Sequence, residues 1–262
     1  MQLRHQNRLI YFQEQSECTR KHVIPYIEQV LPVTSDLRVL EIGCGEGGNL
    51  KPFLELGCQC VGVDIDVAQL EKAKQYLSDY SHDEKLALIV RDIYTVTPDE
   101  IGTFDIIMLR DVIEHIPNQE QFMHQLKSFM HSKSIAFCGF PVWRNPFGGH
   151  QQICRNKLLS HTPWLHLLPN ALYKKVLRWG KEESGTIKGL LEIKATGISF
   201  ARFEKILSKE QYQVLCHTHY FTNPNYEIKF GLRPRVVPKL LQIPYLQDFY
   251  TTAMYYLLKK GI

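Results

Sequence analysis

The glycine-rich segment Val39–Asn49 (VLEIGCGEGGN) is the feature that most restricts the fold. An apolar run ends at four closely spaced glycines, and a helical run then continues to Leu56. Glycine suits such a turn because it adopts positive φ and lets a ligand approach the backbone closely. A helix that begins there offers unpaired N–H groups to that ligand. The spacing of Gly43, Gly45 and Gly48 matches G-x-G-x-x-G, which by itself also fits a nicotinamide nucleotide.

Short apolar strands alternate with amphipathic helices through most of the chain. The predicted strands are Arg38–Gly43, Cys60–Ile65, Leu86–Ile93, Phe104–Leu109, Ser134–Phe140, Tyr212–Cys216 and Tyr226–Phe230. The predicted helices follow the glycines to Leu56 and then span Val67–Tyr80, Gln119–His131, Ser199–Leu207 and Tyr245–Lys260. This order predicts an α/β fold with a Rossmann-like, doubly wound and mostly parallel seven-stranded sheet that carries helices on both faces.

The regular alternation stops at Pro141. Residues 142–198 are rich in proline, glycine, aromatic and basic residues, with only short helices indicated. We therefore expect four segments. They are an N-terminal helical cap at 1–35, the Rossmann-like core at 36–141, an inserted lid at 142–198 after the fifth strand, and residues 199–262, which complete the sheet and end in a helix.

The formal net charge of +4 is the sum of two opposed halves. Residues 1–141 carry 13 basic and 20 acidic side chains, whereas residues 142–262 carry 18 and 7. The composition, 44% hydrophobic and 22% charged, excludes a disordered chain. The asymmetry indicates either an anionic partner for the second half or a basic face that balances an acidic one. No nucleic-acid-binding motif accompanies the charge, so nucleic acid is not expected as a partner.

Two acidic residues stand beside the predicted ligand loop. Glu41 directly precedes the glycines, where a carboxylate repels a pyrophosphate and attracts an ammonium group. Asp64 ends the second strand, where a carboxylate accepts hydrogen bonds from both ribose hydroxyls. Together they indicate a ligand with a ribose, a cationic amino-acid end and no phosphate. S-adenosylmethionine has these features.

The chain resembles class I S-adenosylmethionine-dependent methyltransferases over about residues 36–141. VLEIGCGEGGN is similar to the first motif of the family, VGVDID to the second, RDI at Arg91–Ile93 to the third, and FDIIMLRDVIEHIPN to the fourth-strand motif of the small-molecule branch. The four segments occur in the family's order. The resemblance implies a Rossmann-like methyltransferase that uses S-adenosylmethionine as its cofactor.

The resemblance also implies a set of cofactor-binding residues at the ends of the strands. Gly43–Gly45 would line the methionine moiety, with Glu41 near its amino group through water. Asp64 and its neighbour would hold the ribose and the adenine edge. The full predicted set is Glu41, Gly43, Cys44, Gly45, Asn49, Asp64, Ile65, Asp92, Ile93, Arg110 and Asp111. The alternatives are structural roles: a loop cap for Asp64, a solvated turn acid for Asp92 and a packing residue for Cys44.

Asp111, Glu114 and His115 form a D-x-x-E-H motif after the fourth strand. His115 has an unperturbed pKa near neutral pH and is a candidate general base. Some quinone-pathway O-methyltransferases of the family carry E-x-x-E-H here and bind a divalent cation. Because Asp111 replaces the longer glutamate, we expect no metal. In the third interpretation, Glu114 and His115 shape the loop and contact the cofactor.

The insertion supplies candidates for acceptor recognition, because it emerges after the fifth strand. Trp143 and Phe147 either stack on an acceptor or pack the lid. His150 either takes a proton from an acceptor hydroxyl or is a structural loop histidine. The positive charge comes from Arg144, Arg155, Lys157, Lys174, Lys175, Arg178, Lys181 and Lys188. The aromatic stripe of the predicted C-terminal helix either touches lipid or packs against the protein.

The sequence therefore predicts a methyltransferase with a small-molecule acceptor. O-methylation of a hydrophobic or anionic metabolite by in-line transfer is the favoured reaction, in which the protein contributes proximity and alignment. The alternatives are a nicotinamide-dependent oxidoreductase and a non-catalytic cofactor-binding module on the same fold. The first residues lack the apolar core of a signal peptide, and the seven cysteines form no C-x-x-C pair. We therefore expect a cytoplasmic protein with reduced thiols.

Overall fold

The computed structural model describes residues 7–80 and 84–261. Residues 1–6 of the predicted N-terminal cap and the last residue of the chain lie outside the described part. One sheet of eight strands dominates the fold. The strands are β1 (Arg38–Ile42), β2 (Gln59–Asp64), β3 (Leu86–Val90), β4 (Phe104–Arg110), β5 (Met130–Phe140), β6 (Tyr212–Thr222), β7 (Arg235–Val236) and β8 (Ala253–Lys260).

The strand order in the sheet is β3-β2-β1-β4-β5-β8-β6-β7. The strands from β3 to β5 pair in parallel, whereas β8 pairs antiparallel with both β5 and β6. The chain order reverses between β1 and β4, and ligands bind outside such a switch point, at the carboxyl ends of the strands. The predicted α/β class with a mostly parallel sheet is confirmed. The sheet has eight strands and not seven, because β7 and β8 were not predicted as strands and one predicted strand is a helix.

The described helices cover both faces of this sheet. They are α1 (Arg8–Cys18), α2 (Ile24–Ile27), α3 (Leu50–Glu55), α4 (Val67–Tyr76), α5 (Pro98–Ile101), α6 (Gln119–Leu126), α7 (Lys157–His161), α8 (Asn170–Trp179), α9 (Ser184–Thr196), α10 (Phe200–Lys209) and α11 (Asn225–Phe230). A π-helical turn at Thr19–Val23 joins α1 to α2. Short 3-10 turns extend several of these elements.

Alternating residues of the central strands enter two separate hydrophobic cores. Leu40 and Ile107 pack on one face, against α6 and α10. Val39 and Ile106 pack on the other, against α2, α3 and α4. Successive side chains of a strand point to opposite faces, so a strand covered on both sides is apolar throughout. This explains the nearly continuous apolar run of β4.

The predicted C-terminal helix at Tyr245–Lys260 is wrong. Residues Ala253–Lys260 form β8, which lies between β5 and β6 in the middle of the sheet. Tyr255 packs into one core and Tyr256 into the other, so both faces are buried. A fully buried strand and a buried helix show the same continuous apolar pattern, which explains the error.

The strand predicted at Tyr226–Phe230 is also wrong, because these residues lie in helix α11. Gly231, with φ of 68°, ends this helix. Glycine adopts this left-handed conformation without the steric penalty that other residues carry, which makes it a common helix terminator. The antiparallel neighbours of β6 come instead from β8 and β7.

The insertion at residues 142–198 is helical and has a small hydrophobic core of its own. Tyr173 and Leu177 of α8 pack there with Leu190 of α9, a helix that the sequence pattern did not indicate. The insertion returns to the main body beside the loop after β4. There the Thr196 hydroxyl donates a hydrogen bond to the carbonyl of Glu114 at 2.6 Å. The insertion therefore rests on the segment that carries the D-x-x-E-H motif.

Candidate functional site

A cavity of about 590 Å³ opens at the carboxyl ends of β1 to β4. Its size lies within the usual range of small-ligand sites, roughly 300–1,000 Å³. Helix α1 and the loops after the four strands form its walls. The lining residues are Tyr11, Gln15, Ile42, Gly43, Cys44, Gly45, Glu46, Val63, Asp64, Ile65, Asp66, Gln69, Arg91, Asp92, Ile93, Tyr94, Arg110, Asp111, Val112, His115, Ile116 and Pro117.

The glycine loop forms the floor of this cavity. Gly43 and Gly45 have φ of 70° and 52°, so both adopt the left-handed region that favours glycine. A Cβ atom on Gly43 would lie 2.6 Å from a methyl group of Val112. The loop therefore needs glycine at Gly43 both for its conformation and for its close packing against the loop after β4. Cys44, between the two glycines, is buried and lines the same cavity.

Asp64 joins the loop to the end of β2. Its Oδ2 accepts a hydrogen bond from the Gly45 N–H at 2.8 Å, and its Oδ1 accepts one from the Asp66 N–H at 2.9 Å. Asp64 therefore caps the loop, as the alternative interpretation had it, and also lines the cavity. Ile65 beside it is 73% exposed and lines the cavity, so it offers an apolar surface to a ligand.

Asp92 and Ile93 follow β3 and line the cavity next to Asp64. The Asp92 Oδ1 accepts a hydrogen bond from the Tyr94 N–H at 3.0 Å, which caps a short 3-10 turn. Ile93 is buried and packs into the core. The structure thus brings the second and third predicted motifs together at one wall.

Glu41 and Asn49 lie behind the cavity and do not line it. The Asn49 amide donates a hydrogen bond to Oε1 of Glu41 at 2.6 Å, and both side chains are buried. Burial raises the pKa of Glu41 to about 8. A neutral Glu41 makes no ion pair with an ammonium group, so its predicted contact with a cofactor through water remains a prediction.

Arg110 belongs to the cavity wall, but its guanidinium points toward the N-terminal helix. Its Nη1 donates hydrogen bonds to Oδ1 of Asn49 at 2.7 Å and to the Thr19 hydroxyl at 2.9 Å. Its Nη2 lies 2.9 Å from the Sγ of Cys18. Arg110 acts here as a positioning residue, because its donors fix the glycine loop and α1 to the end of β4. It also lines the cavity, and its direct contact with the cofactor remains a prediction.

Asp111 has φ of 54°, which is uncommon for a residue with a side chain and marks a sharp turn at the end of β4. The turn places Asp111 in the cavity wall near Tyr11 of α1. Burial and the Asp111 carboxylate raise the pKa of Tyr11 to about 12, so this phenol stays protonated. Sequence reasoning missed Tyr11 and Gln15. The sequence feature that could have revealed them is their four-residue spacing, which puts both side chains on one face of α1.

His115 of the D-x-x-E-H motif lines the cavity, as Asp111 does. Its side chain is 42% exposed there, and desolvation beneath the insertion lowers its pKa. The His150 ring lies behind it, with ring centroids 5.1 Å apart and the planes nearly perpendicular. Burial lowers the pKa of His150 to about 4, with a further contribution from His115. The two predicted catalytic histidines are thus neighbours, but only His115 lines the cavity.

Glu114 completes this cluster from the buried side. Neither of its carboxylate oxygens has a hydrogen-bond partner within the described ranges 7–80 and 84–261. Burial and the nearby Asp111 raise its pKa well above the usual value. One ligand atom from each of Glu114, His115 and His150 lies within 4.8 Å of the other two. This donor set fits a divalent cation, and the expected absence of a metal remains a prediction.

The remaining acceptor candidates of the insertion lie away from the cavity wall. The Trp143 ring packs against His166, with centroids 4.5 Å apart, which matches its packing interpretation. Arg144 lies 3.7 Å from Asp248, and Arg155 lies 2.5 Å from Glu183. The basic residues of the insertion are absent from the lining, so the cavity itself is not strongly cationic.

A family model described as "Methyltransferase domain" matches residues 12–167, more than half of the chain. The match covers most of helix α1, the glycine loop, all four motif segments and the start of the insertion. The chain belongs to this methyltransferase family. The predicted resemblance is confirmed, and with it the S-adenosylmethionine cofactor of this class.

Curated methyltransferases are similar to parts of the chain. A ubiquinone biosynthesis O-methyltransferase of Rhodopseudomonas palustris (strain TIE-1) is 34% identical over 99 residues, which are 38% of each protein. An uncharacterized methyltransferase of Mycolicibacterium gilvum (strain PYR-GCK) is 28% identical over 118 residues, 45% of this chain and 44% of that one. The matched region spans only about two fifths of the length of these relatives.

Solved methyltransferases share the fold over nearly the whole chain. A plantazolicin methyltransferase in complex with a monoazolic desmethylPZN analog and SAH superposes with a TM-score of 0.54 at 13% identity, covering 98% of this chain and 87% of that one. A putative sarcosine dimethylglycine methyltransferase from Galdieria sulphuraria gives 0.58 at 11% identity, with 93% and 85% coverage. At these identities the likeness concerns the fold of the methyltransferase family alone.

Proposed function

We propose that the protein transfers the methyl group of S-adenosylmethionine to an oxygen atom of a small-molecule acceptor. One observation carries this proposal: a single cavity joins the glycine loop, Asp64 and Asp92 at one end to His115 at the other. A site for the cofactor and a proton acceptor therefore share one space. The membership of the methyltransferase family supports the reaction class.

The residues of the cavity fit the proposed cofactor. The positive-φ glycines leave the loop without side chains where a ligand would approach it. Asp64 and Asp92 offer carboxylate oxygens for hydroxyl and amino groups, and the exposed Ile65 between them offers an apolar surface for the adenine. Tyr11 and Gln15 close the opposite side from α1.

In the proposed reaction, the protein chiefly positions the acceptor and removes its proton. The sulfonium of the cofactor supplies a methyl group that is already activated for displacement. Desolvation keeps His115 neutral near pH 7, so its imidazole is able to accept the proton of an acceptor hydroxyl. His150 packs against His115 and restricts the orientation of its ring, which makes it a positioning residue.

Two observations support an oxygen acceptor of mainly apolar character. The similar Rhodopseudomonas palustris protein is named as an O-methyltransferase of ubiquinone biosynthesis. The cavity next to His115 is lined by Tyr94, Ile116 and Pro117, which favour an aromatic or aliphatic body. An anionic acceptor has less support, because the paired Arg144 and Arg155 lie outside the lining.

A second candidate chemistry has a specific observation in its favour. The converging atoms of Glu114, His115 and His150 fit a divalent cation, and the unpartnered buried carboxylate of Glu114 would gain a ligand bond from it. A cation held there would bind and polarise an acceptor hydroxyl. His115 would then be a ligand and not the proton acceptor.

A methyl-transfer assay with mixed phenolic, catecholic and carboxylic acceptors tests the proposed function. Mass spectrometry should detect S-adenosylhomocysteine together with one acceptor that has gained a methyl group on oxygen. Methylation on carbon or nitrogen would contradict the oxygen acceptor. Tight cofactor binding without turnover on any acceptor would favour a non-catalytic module.

A further inference from the structure

The 232–246 segment, which follows α11, exposes an unusual amount of apolar surface. Leu240 alone is 93% exposed. Contiguous apolar surface of this kind marks sites of protein or membrane contact. The exposed large side chains of the segment are Leu232, Val236, Leu240, Leu241, Ile243, Tyr245 and Leu246.

The fold holds this segment in place while its apolar side chains face outward. Val237 is buried, and its N–H donates a hydrogen bond to the His219 carbonyl of β6 at 2.8 Å. Gln247 anchors the other end, with its side chain buried beside His219 and 3.0 Å from the Nδ1 of that ring. The prolines at 234, 238 and 244 remove three backbone N–H donors. The segment therefore has fewer polar backbone groups to desolvate in an apolar environment.

The charge of the segment identifies the kind of partner. Residues 232–246 contain Arg233, Arg235 and Lys239 and no acidic residue. All three cations are exposed, and none forms an ion pair with a carboxylate of the described residues. The nearest acids in sequence are engaged elsewhere, Glu227 with Lys21 and Asp248 with Arg144. A second copy would bring the same cations into a symmetric interface, which like-charge repulsion disfavours. An anionic lipid surface satisfies both the apolar and the cationic groups.

The segment begins close to the mouth of the cavity. Helix α11 precedes it, and the Lys229 Nζ lies 5.9 Å from the ring centroid of Tyr11, which lines the cavity. Tyr226 of the same helix contacts Phe230, with ring centroids 5.6 Å apart. A surface bound through the segment would thus lie beside α1, which forms one wall of the site.

We propose that the 232–246 segment docks the protein onto an anionic lipid bilayer. The leucine and isoleucine side chains enter the interface, and Arg233, Arg235 and Lys239 contact the lipid headgroups. The proposed contact is with the surface of the bilayer. No described helix has the length and apolar character to cross a bilayer. The proposal concerns this surface alone and holds for any acceptor or reaction of the cavity.

Co-sedimentation of the full chain with vesicles tests this proposal. Vesicles of equal parts phosphatidylglycerol and phosphatidylcholine should retain the protein, and vesicles of phosphatidylcholine alone should retain much less. Arg233→Gln, Arg235→Gln or Lys239→Gln should each weaken binding about fivefold. Leu240→Gln with Leu241→Gln should weaken it at least about tenfold.

Matched substitutions elsewhere on the surface control for general effects. Lys133 and Leu56 are exposed and distant in sequence from the segment. Lys133→Gln and Leu56→Gln should leave vesicle binding unchanged. The circular dichroism spectrum and the Tm should be unchanged in every variant. Binding that is equal on neutral and anionic vesicles, or equal for Leu240→Gln with Leu241→Gln and wild type, would overturn the proposal. A lipid-free dimer that these two substitutions dissociate would overturn it in favour of a self-association surface.

Discussion

The imidazole rings of His115 and His150 lie 5.1 Å apart, with an interplanar angle of 77°. His115 follows β4, and His150 belongs to the first turns of the insertion. Their contact therefore joins the insertion to the loop that lines the cavity. Because only His115 lines the cavity, the pair has distinct roles in the proposed reaction, one in proton transfer and one in positioning.

Removing the His115 imidazole should slow methyl transfer without weakening cofactor binding. A general base typically contributes 10²- to 10⁴-fold, so His115→Ala should lower kcat by at least about 100-fold. The affinity for S-adenosylhomocysteine, measured by calorimetry, should stay within about twofold, since a general base acts on the acceptor. His124→Ala, at an exposed surface histidine, is the control and should retain wild-type kcat. An equal loss in both variants would show that the effect is not specific to the site.

Chelation separates the two chemistries available to Glu114, His115 and His150. If His115 is the proton acceptor, dialysis against EDTA should leave kcat unchanged, and added Mg²⁺ or Mn²⁺ should not raise it. If the three residues hold a cation, EDTA should abolish turnover, and Mn²⁺ should restore it. In the second case His150→Ala should weaken Mn²⁺ binding, followed by electron paramagnetic resonance, at least about tenfold. We expect the metal-independent result.

The buried guanidinium of Arg110 should contribute strongly to stability. Arg110→Met removes the guanidinium N–H groups that donate hydrogen bonds to Asn49 and Thr19. The buried oxygens of these two residues then lose the hydrogen bonds from Arg110. Hydrogen bonds to a charged group are each worth about 1.5–3 kcal/mol. Urea unfolding should show a loss of this order in the free energy of unfolding. Arg202→Met, at an exposed arginine, should change it by less than about 0.5 kcal/mol. A stable Arg110→Met protein would contradict the positioning role.

Glu41 should make stability depend on pH. Its pKa is raised from 4.5 to about 8 by burial, so the folded state retains a proton that the unfolded chain releases. The free energy of unfolding should therefore fall as the pH rises from about 4.5 to about 8 and level off above that. Glu41→Gln keeps an oxygen that accepts the Asn49 amide hydrogen bond and should flatten this part of the profile. Urea unfolding across this range measures how the free energy of unfolding depends on pH. The same slope in the wild type and in Glu41→Gln would contradict a neutral Glu41 carboxyl.

Much of the cofactor half could be predicted from the sequence, because its signals are local. The glycines, Asp64 and Asp92 each stand at the end of an apolar strand, and parallel strands end at the same edge of the sheet. The strand–helix alternation predicted β1 to β5 with small errors at their ends. The part of the cavity wall at the ends of these strands then follows from the topology, whereas the part from α1 does not.

The errors, and the contacts that the sequence did not indicate, concern features that depend on distant packing. Continuous apolar residues in β8 gave no period that distinguishes a strand between two neighbours from a buried helix. The donors of Arg110 turned toward α1 because Thr19 and Asn49 meet there, which no local pattern indicates. Likewise, His150 meets His115 only because the insertion folds back onto the loop after β4. Contacts of this kind join residues far apart in the sequence, so short patterns do not reveal them.

The most direct test of the account is calorimetric titration of S-adenosylmethionine into the wild type, Asp64→Ala and Asp79→Ala. Asp64 lines the cavity and holds the glycine loop through the Gly45 N–H, whereas Asp79 is an exposed acid outside the lining. We expect saturable binding to the wild type and to Asp79→Ala. Binding to Asp64→Ala should be at least about tenfold weaker, because hydrogen bonds to a charged group are each worth about 1.5–3 kcal/mol. No binding to the wild type, or equal affinity in Asp64→Ala, would contradict it.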